Sequence, residues 1–321
     1  MQLLKELCAI SAPSGSEGKL REFIIKNAEG FCDEIKTDSL GNLIARKKGA
    51  GKRIMLSAHM DEVGFITIAI DKKDYVAFSE IGDVKLNTLT GNKVLFLNDK
   101  TGIVVEKVEK PIKPSDYRIE VLGCKGESLY MVNVGDVATF YPAFDYNNNF
   151  ISSKALNSRM GCYVLLQLLK EIQTSKNDLY FVFTAQHQIG FRGAKIAAAQ
   201  IDPHYSITID SAVYNDFADI DSSVSIDMGP AVKIMDSSTI CHPKIRKLLS
   251  EAAEEEGMQI QLEVSENFKS AGSAIQTAGA GVISGTVSIP LKYINTPNEV
   301  ISFNDVKGSI RLLKRMCAKE I

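Results

Sequence analysis

The stretch LSAHMDEVGF, residues 56–65, sets a histidine and an aspartate two residues apart just beyond a short apolar run, Ile54-Met55-Leu56. That run follows the Gly49–Gly51 turn region and predicts a buried strand. His59 and Asp61 then stand at a strand's carboxyl end, where open α/β sheets build their sites. An imidazole there can ligate a divalent metal while the nearby carboxylate orients the ring. An ordinary hydrogen-bonded His–Asp pair has the same spacing, so the motif alone leaves both readings open.

Further polar groups recur at predicted strand ends. The apolar run LYFVFT (179–184) suits a central strand covered on both faces, and Gln186-His187-Gln188 follows it. Asp210 ends a buried strand over 205–209, and Tyr293–Thr296 follows the strand over 281–289. Residues 43–46 and 54–57, flanking a Gly/Lys turn, predict a hairpin. Leu3, Leu4, Leu7 and Ile10 have helical spacing, Ala12-Pro13-Ser14-Gly15 breaks that helix, and Ser16–Ile25 starts a second. Further helices are expected over 159–172, 193–199, 242–256, 270–278 and 304–317. From about Ile66 to Ser153 the texture changes to short alternating runs separated by Gly, Asn and Asp turns. This predicts an inserted all-β domain, a barrel or sandwich over 66–153, interrupting an α/β domain made of 1–65 plus 154–321.

The 321 residues suit about two domains, and at 45% hydrophobic content the chain can bury a full core. A net charge of −2 with intermixed signs argues against nucleic-acid binding or a polybasic membrane patch. Cys8, Cys32, Cys124, Cys162, Cys241 and Cys317 are scattered without a Cys-x-x-Cys pair, as expected of reduced thiols in a cytosolic protein. No stretch has transmembrane length and the N-terminus has no secretory pattern, so a soluble cytoplasmic protein is expected.

The segments SAPSGSEGKLREFI (11–24), DSLGNLIARK (38–47), SAHMDEVGF (57–65), VGDVATF (134–140), KALNSRMGC (154–162), IGFRGAKIAA (189–198), GPAVKIMD (229–236) and VSIPLKYINTP (287–297) together resemble the metallo-aminopeptidase family of glutamyl, deblocking and tetrahedral aminopeptidases. The resemblance implies a zinc-peptidase α/β/α sandwich with a mixed sheet and an inserted β-barrel or PDZ-like domain used for dimerisation or as a lid. It implies homo-oligomers from dimers to dodecamers, and peptides with a free N-terminus as substrates. The family's chemistry uses two divalent metals, a bridging carboxylate and a glutamate base.

Carried over by residue, the resemblance places one metal's ligands at His59, Asn157 and Asp210. The other metal's fall at Asn157, Gln188 and Asn295, the general base at His187, and the aspartate of a Gly-Thr-Asp segment at Ala271. An amide oxygen carries no net charge, and zinc prefers thiolate, imidazole and carboxylate. The expectation is therefore a degenerate site with no tightly bound metal, or one divalent zinc or cobalt on His59, His187 and Asp210. His187 is either that ligand, with Asp61 and His187 as the surviving catalytic positions, or a neutral histidine filling the vacated pocket. Two readings follow. The chain is an inactive or impaired homologue, a pseudoenzyme binding peptides or a protein partner, or it is an active aminopeptidase using one metal or altered ligands. His204 and His242 read as structural or surface residues, Arg159 as a substrate contact or, more simply, the partner of a local carboxylate, and Gly190, Arg192 and Gly193 as shaping the pocket floor.

Overall fold

The computed structural model describes residues 1–71, 73–123, 132–214 and 224–321; Cys124 lies outside them. The main sheet runs, from one edge, through Glu34–Thr37, Leu43–Lys47, Asp178–Thr184, Arg53–His59, Tyr205–Val213, Ile283–Lys292, Glu299–Ser302, Phe150–Ser153 and Phe144–Asn147. Ala231–Met235 and Gln261–Val264 branch from Ile283–Lys292. The four central strands are mutually parallel, so their carboxyl ends open on the same side. They are almost wholly buried, which is why they read as apolar runs rather than alternating ones.

Helices cover both faces. Gln2–Ala9, Gly18–Ala28, Leu156–Glu171, Pro243–Glu255 and Phe303–Ala318 pack on one side around a core that includes Leu7, Leu56, Leu165, Phe181 and Leu313. Arg192–Ile201 and Gly272–Gln276 pack on the other around Val182, Ala197 and Ile275. The chain leaves the sheet at Gly64 and forms a closed six-strand barrel of Gly64–Ile70, Tyr75–Ile81, Tyr117–Val121, Thr101–Glu106, Lys93–Phe96 and Val137–Phe140. Phe65 sits at the barrel's centre with Phe78 and Phe140 both edge-on to it. The expected insertion, 66–153, thus also takes in the hairpin of Phe144–Asn147 with Phe150–Ser153, which pairs with Glu299–Ser302 in the large sheet.

The expected hairpin of 43–46 with 54–57 does not form. Asp178–Thr184 lies between the two strands, antiparallel to Leu43–Lys47 and parallel to Arg53–His59. The connecting turn is closed by the later segment instead. Gly51 N–H donates to the Lys176 carbonyl at 2.7 Å, and a Cβ on Gly49 would lie 2.2 Å from the Asn177 carbonyl oxygen. Only glycine permits that approach.

One buried ionic cluster joins the front of the molecule. Glu62 pairs with Lys154 at 2.7 Å and Arg159 at 2.7 Å, and also accepts the Ala12 N–H at 3.0 Å. Arg159, fully buried, further donates to the carbonyls of Leu7, Ile10 and Met60. Instead of the expected local carboxylate, Arg159 serves Glu62, 97 residues away in the chain. Five described cysteines are free, and burial pushes the thiols of Cys8, Cys162 and Cys317 up to about 12. Among the described residues no helix is long and apolar enough to cross a membrane.

Replacing Arg159 with Met would leave Glu62 short of one cation and three backbone carbonyls short of a donor. Loss of one partner of a buried pair costs about 3–5 kcal/mol. Urea unfolding is expected to show that loss, and a change under 1 kcal/mol would make the cluster incidental.

Candidate active site

Three parallel strand ends, the interior of a fourth parallel strand and one helix start converge on a cavity of about 390 Å³. His59 ends Arg53–His59, His187 and Gln188 follow Asp178–Thr184, and Asp210 lies on Tyr205–Val213. Asn295 follows Ile283–Lys292, and Asn157 is in the first turn of Leu156–Glu171. Asn157, His187, Gln188, Asp210 and Asn295 all line the cavity, with His59 packed beneath His187.

The two imidazoles stack with ring centroids 3.8 Å apart and planes 14° from parallel, and Phe191 meets His187 edge-on. His59 Nδ1 lies 2.8 Å from the Asp61 carbonyl oxygen, which can only accept. The proton therefore sits on Nδ1 and Nε2 keeps a bare lone pair. That Nε2 is buried without a hydrogen-bond partner among the described residues, and so is Asp210 Oδ2. Buried orphans are uncommon and call for an explanation. A ligand atom from each of His59, His187 and Asp210 lies within 4.8 Å of the others.

Two neutral imidazoles and a carboxylate form a donor set for one zinc or cobalt ion, and such a cation would satisfy both orphans. The residues fit it chemically. Parallel rings, however, aim their nitrogens side by side rather than at one point, so joint ligation requires the stack to open. Burial, then His187, lowers the His59 pKa to about 4, and burial, then Lys233, lowers that of His187 to about 3. Both rings are neutral at pH 7, the form that ligates.

Asp61 is fully buried and works through the backbone. It accepts Ser14 Oγ–H at 2.5 Å, His187 N–H at 2.9 Å and Gln188 N–H at 2.8 Å. It thereby ties the loop after Asp178–Thr184 to the end of Arg53–His59. Glu299 plays the same part on the opposite wall. Its carboxylate accepts the N–H of Asn157 at 2.8 Å and of Asn295 at 2.7 Å. Burial outweighs those two bonds and pushes its pKa up to about 7. Asn157 Oδ1 accepts from Ser211 Oγ–H at 2.7 Å, and Asn295 Nδ2 donates to the Asp83 carbonyl at 2.9 Å.

Ala155, Gln186, Phe191, Tyr293 and Asn295 all have left-handed backbone, with φ between 55° and 61°. Outside glycine each such residue costs on the order of 1–3 kcal/mol, and strain of this kind clusters at functional sites. All five lie in or beside the loops that carry the cavity's polar groups.

The sequence reading did not single out Lys233 or Glu299. Lys233 is buried at the cavity wall and pairs with Glu263 at 3.1 Å. A lysine inside the apolar strand run AVKIM was the available signal for it. His204 and His242 have structural roles, accepting the Arg53 N–H and capping the helix Pro243–Glu255. Ala271 is buried in the apolar cluster around Ile275, at the start of helix Gly272–Gln276. Gly190 lines the cavity, while Gly193 packs against Asn42 and Ala185 with no room for a Cβ.

The sequence matches the M42 glutamyl aminopeptidase family over residues 41–312. A putative aminopeptidase of Acetivibrio thermocellus is 41% identical over 317 residues, covering 97% of this chain and 96% of that protein. The fold superposes on an aminopeptidase from the archaeon Desulfurococcus kamchatkensis with a TM-score of 0.95 at 29% identity, covering 99% of this chain and 94% of that one. It also superposes on the TET1 peptidase of Pyrococcus horikoshii, described as assembling into a tetrahedron or a large octahedral shell. There the TM-score is 0.90 at 26% identity, with 99% of each chain covered. With a match across most of its length, and with the sheet, the barrel and the strand-end cavity in place, the chain belongs to the M42 glutamyl aminopeptidase family.

Proposed function

We propose that this chain binds peptides by their free N-termini in the strand-end cavity, holds at most one divalent cation there, and hydrolyses peptides weakly or not at all. The observation that carries this reading is the chemistry of the cavity wall. Asn157, Gln188 and Asn295, the positions that correspond by resemblance to the bridging ligand and to the second metal's ligands, are three neutral amides lining one space. Amides supply no net charge to offset a second dication, and none accepts a proton at neutral pH. His187 stands at the position of the general base, and with its pKa held near 3 it is a weak base.

His59, His187 and Asp210 are the residues that would hold a single cation, and their grouping supports the second reading, a one-metal aminopeptidase. Zinc or cobalt, when bound, would polarise a carbonyl and acidify water. The chain's own contributions are separate from that. Asp61 fixes His59's tautomer through its carbonyl and His187's position through its carboxylate. Asp210 presents an unpartnered oxygen beside the cavity, suited to a peptide's terminal ammonium.

Elemental mass spectrometry on protein purified without chelator and then loaded with zinc or cobalt tests the cation count, with an aminoacyl-nitroanilide panel run on the same sample. One metal per chain, lost on His187→Ala, and turnover far below that of an active relative are expected. Two metals with full turnover would overturn the proposal.

We also propose that the protein is cytoplasmic and assembles as a homo-oligomer, with the barrel part of the expected 66–153 insertion, Gly64 to Phe140, acting as a dimerisation or lid domain. The shell-forming TET1 peptidase, matched over its whole chain, supports the assembly. Light scattering after size exclusion is expected to give a dimer or larger, and a monomer at micromolar concentration would count against it.

A further inference from the structure

We propose that Lys233 makes this cavity a receptor for the carboxylate of a free α-amino acid. The inference rests on the reading of the cavity as the seat of a peptide's first residue. Lys233 lies on Ala231–Met235, the strand that pairs antiparallel with Ile283–Lys292, and its side chain reaches the cavity wall. An ammonium has three N–H donors. Two have partners in the protein: the Ser211 carbonyl oxygen at 3.3 Å and Glu263 Oε1 at 3.1 Å. Among the described residues the third has no partner, which leaves it for a ligand in the cavity.

The surroundings keep this lysine charged and available. Burial pulls its pKa down, but Glu263 and Asp210 outweigh that and raise it. Glu263 is itself buried, with one oxygen on Lys233 and the other without a partner among the described residues.

The neutral amides add donors where carboxylates would repel an anion. Neither Asn157 Nδ2 nor the Gln188 side chain makes a hydrogen bond to another described residue, and both residues line the cavity. Asp210 Oδ2, also unpartnered, supplies the complementary acceptor. An acceptor for an ammonium beside a cation and two amide donors for a carboxylate matches the two ends of an amino-acid zwitterion. A peptide's first residue has the same ammonium, but its carbonyl is neutral and draws less from Lys233.

Calorimetric titration at pH 7, with chelator present to remove any cation, compares L-leucine with L-leucinamide, which differ only in the carboxylate. The wild-type chain is expected to bind leucine at least tenfold more tightly than leucinamide. Lys233→Met alone would strand Glu263, so the informative variant is Lys233→Met with Glu263→Gln, checked for an unchanged circular dichroism spectrum. In that variant the two affinities are expected to converge, while Lys233→Arg keeps the preference. A preference retained by the double variant overturns the assignment and leaves Lys233 as the neutraliser of Glu263 alone. Wild-type protein that binds neither probe overturns the reading of the cavity itself, and with it this assignment.

Discussion

A carboxylate with almost no access to water, Glu62, holds the front of this molecule together. Isolated in an apolar interior it would be strongly unfavourable, and even a paired charge repays its desolvation only when its remaining lone pairs are satisfied. Here both oxygens take cationic donors, and one also takes a backbone N–H. The consequence is positional. Arg159 sits two residues after Asn157 and reaches the carbonyls of Leu7, Ile10 and Met60, so the start of Leu156–Glu171 is pinned to the end of the strand carrying His59. The distances across the cavity depend on that pin.

The cavity is built by carboxylates that act on backbone rather than on ligand. Asp61 organises the two histidines, and Glu299 organises Asn157 and Asn295 from the other side. Both are buried and both use main-chain N–H groups, so the geometry of the wall does not depend on which side chains face inward. That explains how strained backbone at Gln186, Phe191, Tyr293 and Asn295 accompanies side chains of low charge.

Much of this was legible in the sequence, for local reasons. The parallel strands announced themselves as apolar runs because both faces are covered, and the barrel as alternation because each strand has a core side and a solvent side. His59, His187 and Asp210 were singled out because strand ends are where such sheets place their sites; the structure groups the three, although the strand carrying Asp210 runs on to Val213. The pairing of 43–46 with 54–57 was misread because a Gly-containing turn between two short strands looks the same whether they pair or are wedged apart. The wedge, Asp178–Thr184, lies more than 100 residues downstream. Lys233 and Glu299 were missed for a related reason. One charged residue in or beside a strand gives no sign of facing inward until its partners, Glu263 for the one and two backbone N–H groups for the other, are placed around it.

That wedged strand also sets an order of assembly. The barrel is built from one continuous stretch, Gly64 to Phe140, and every strand it needs has left the ribosome before residue 178 is made. The large sheet has no such independence. Leu43–Lys47 and Arg53–His59 wait with open edges until Asp178–Thr184 arrives between them, and Arg53–His59 gains its other neighbour only with Tyr205–Val213. Synthesis at about 5–20 residues per second makes that interval several seconds or more. During it the nascent chain carries a closed barrel beside a two-stranded ribbon, Glu34–Thr37 with Leu43–Lys47, that is open along one edge, and an apolar strand, Arg53–His59, that is open along both.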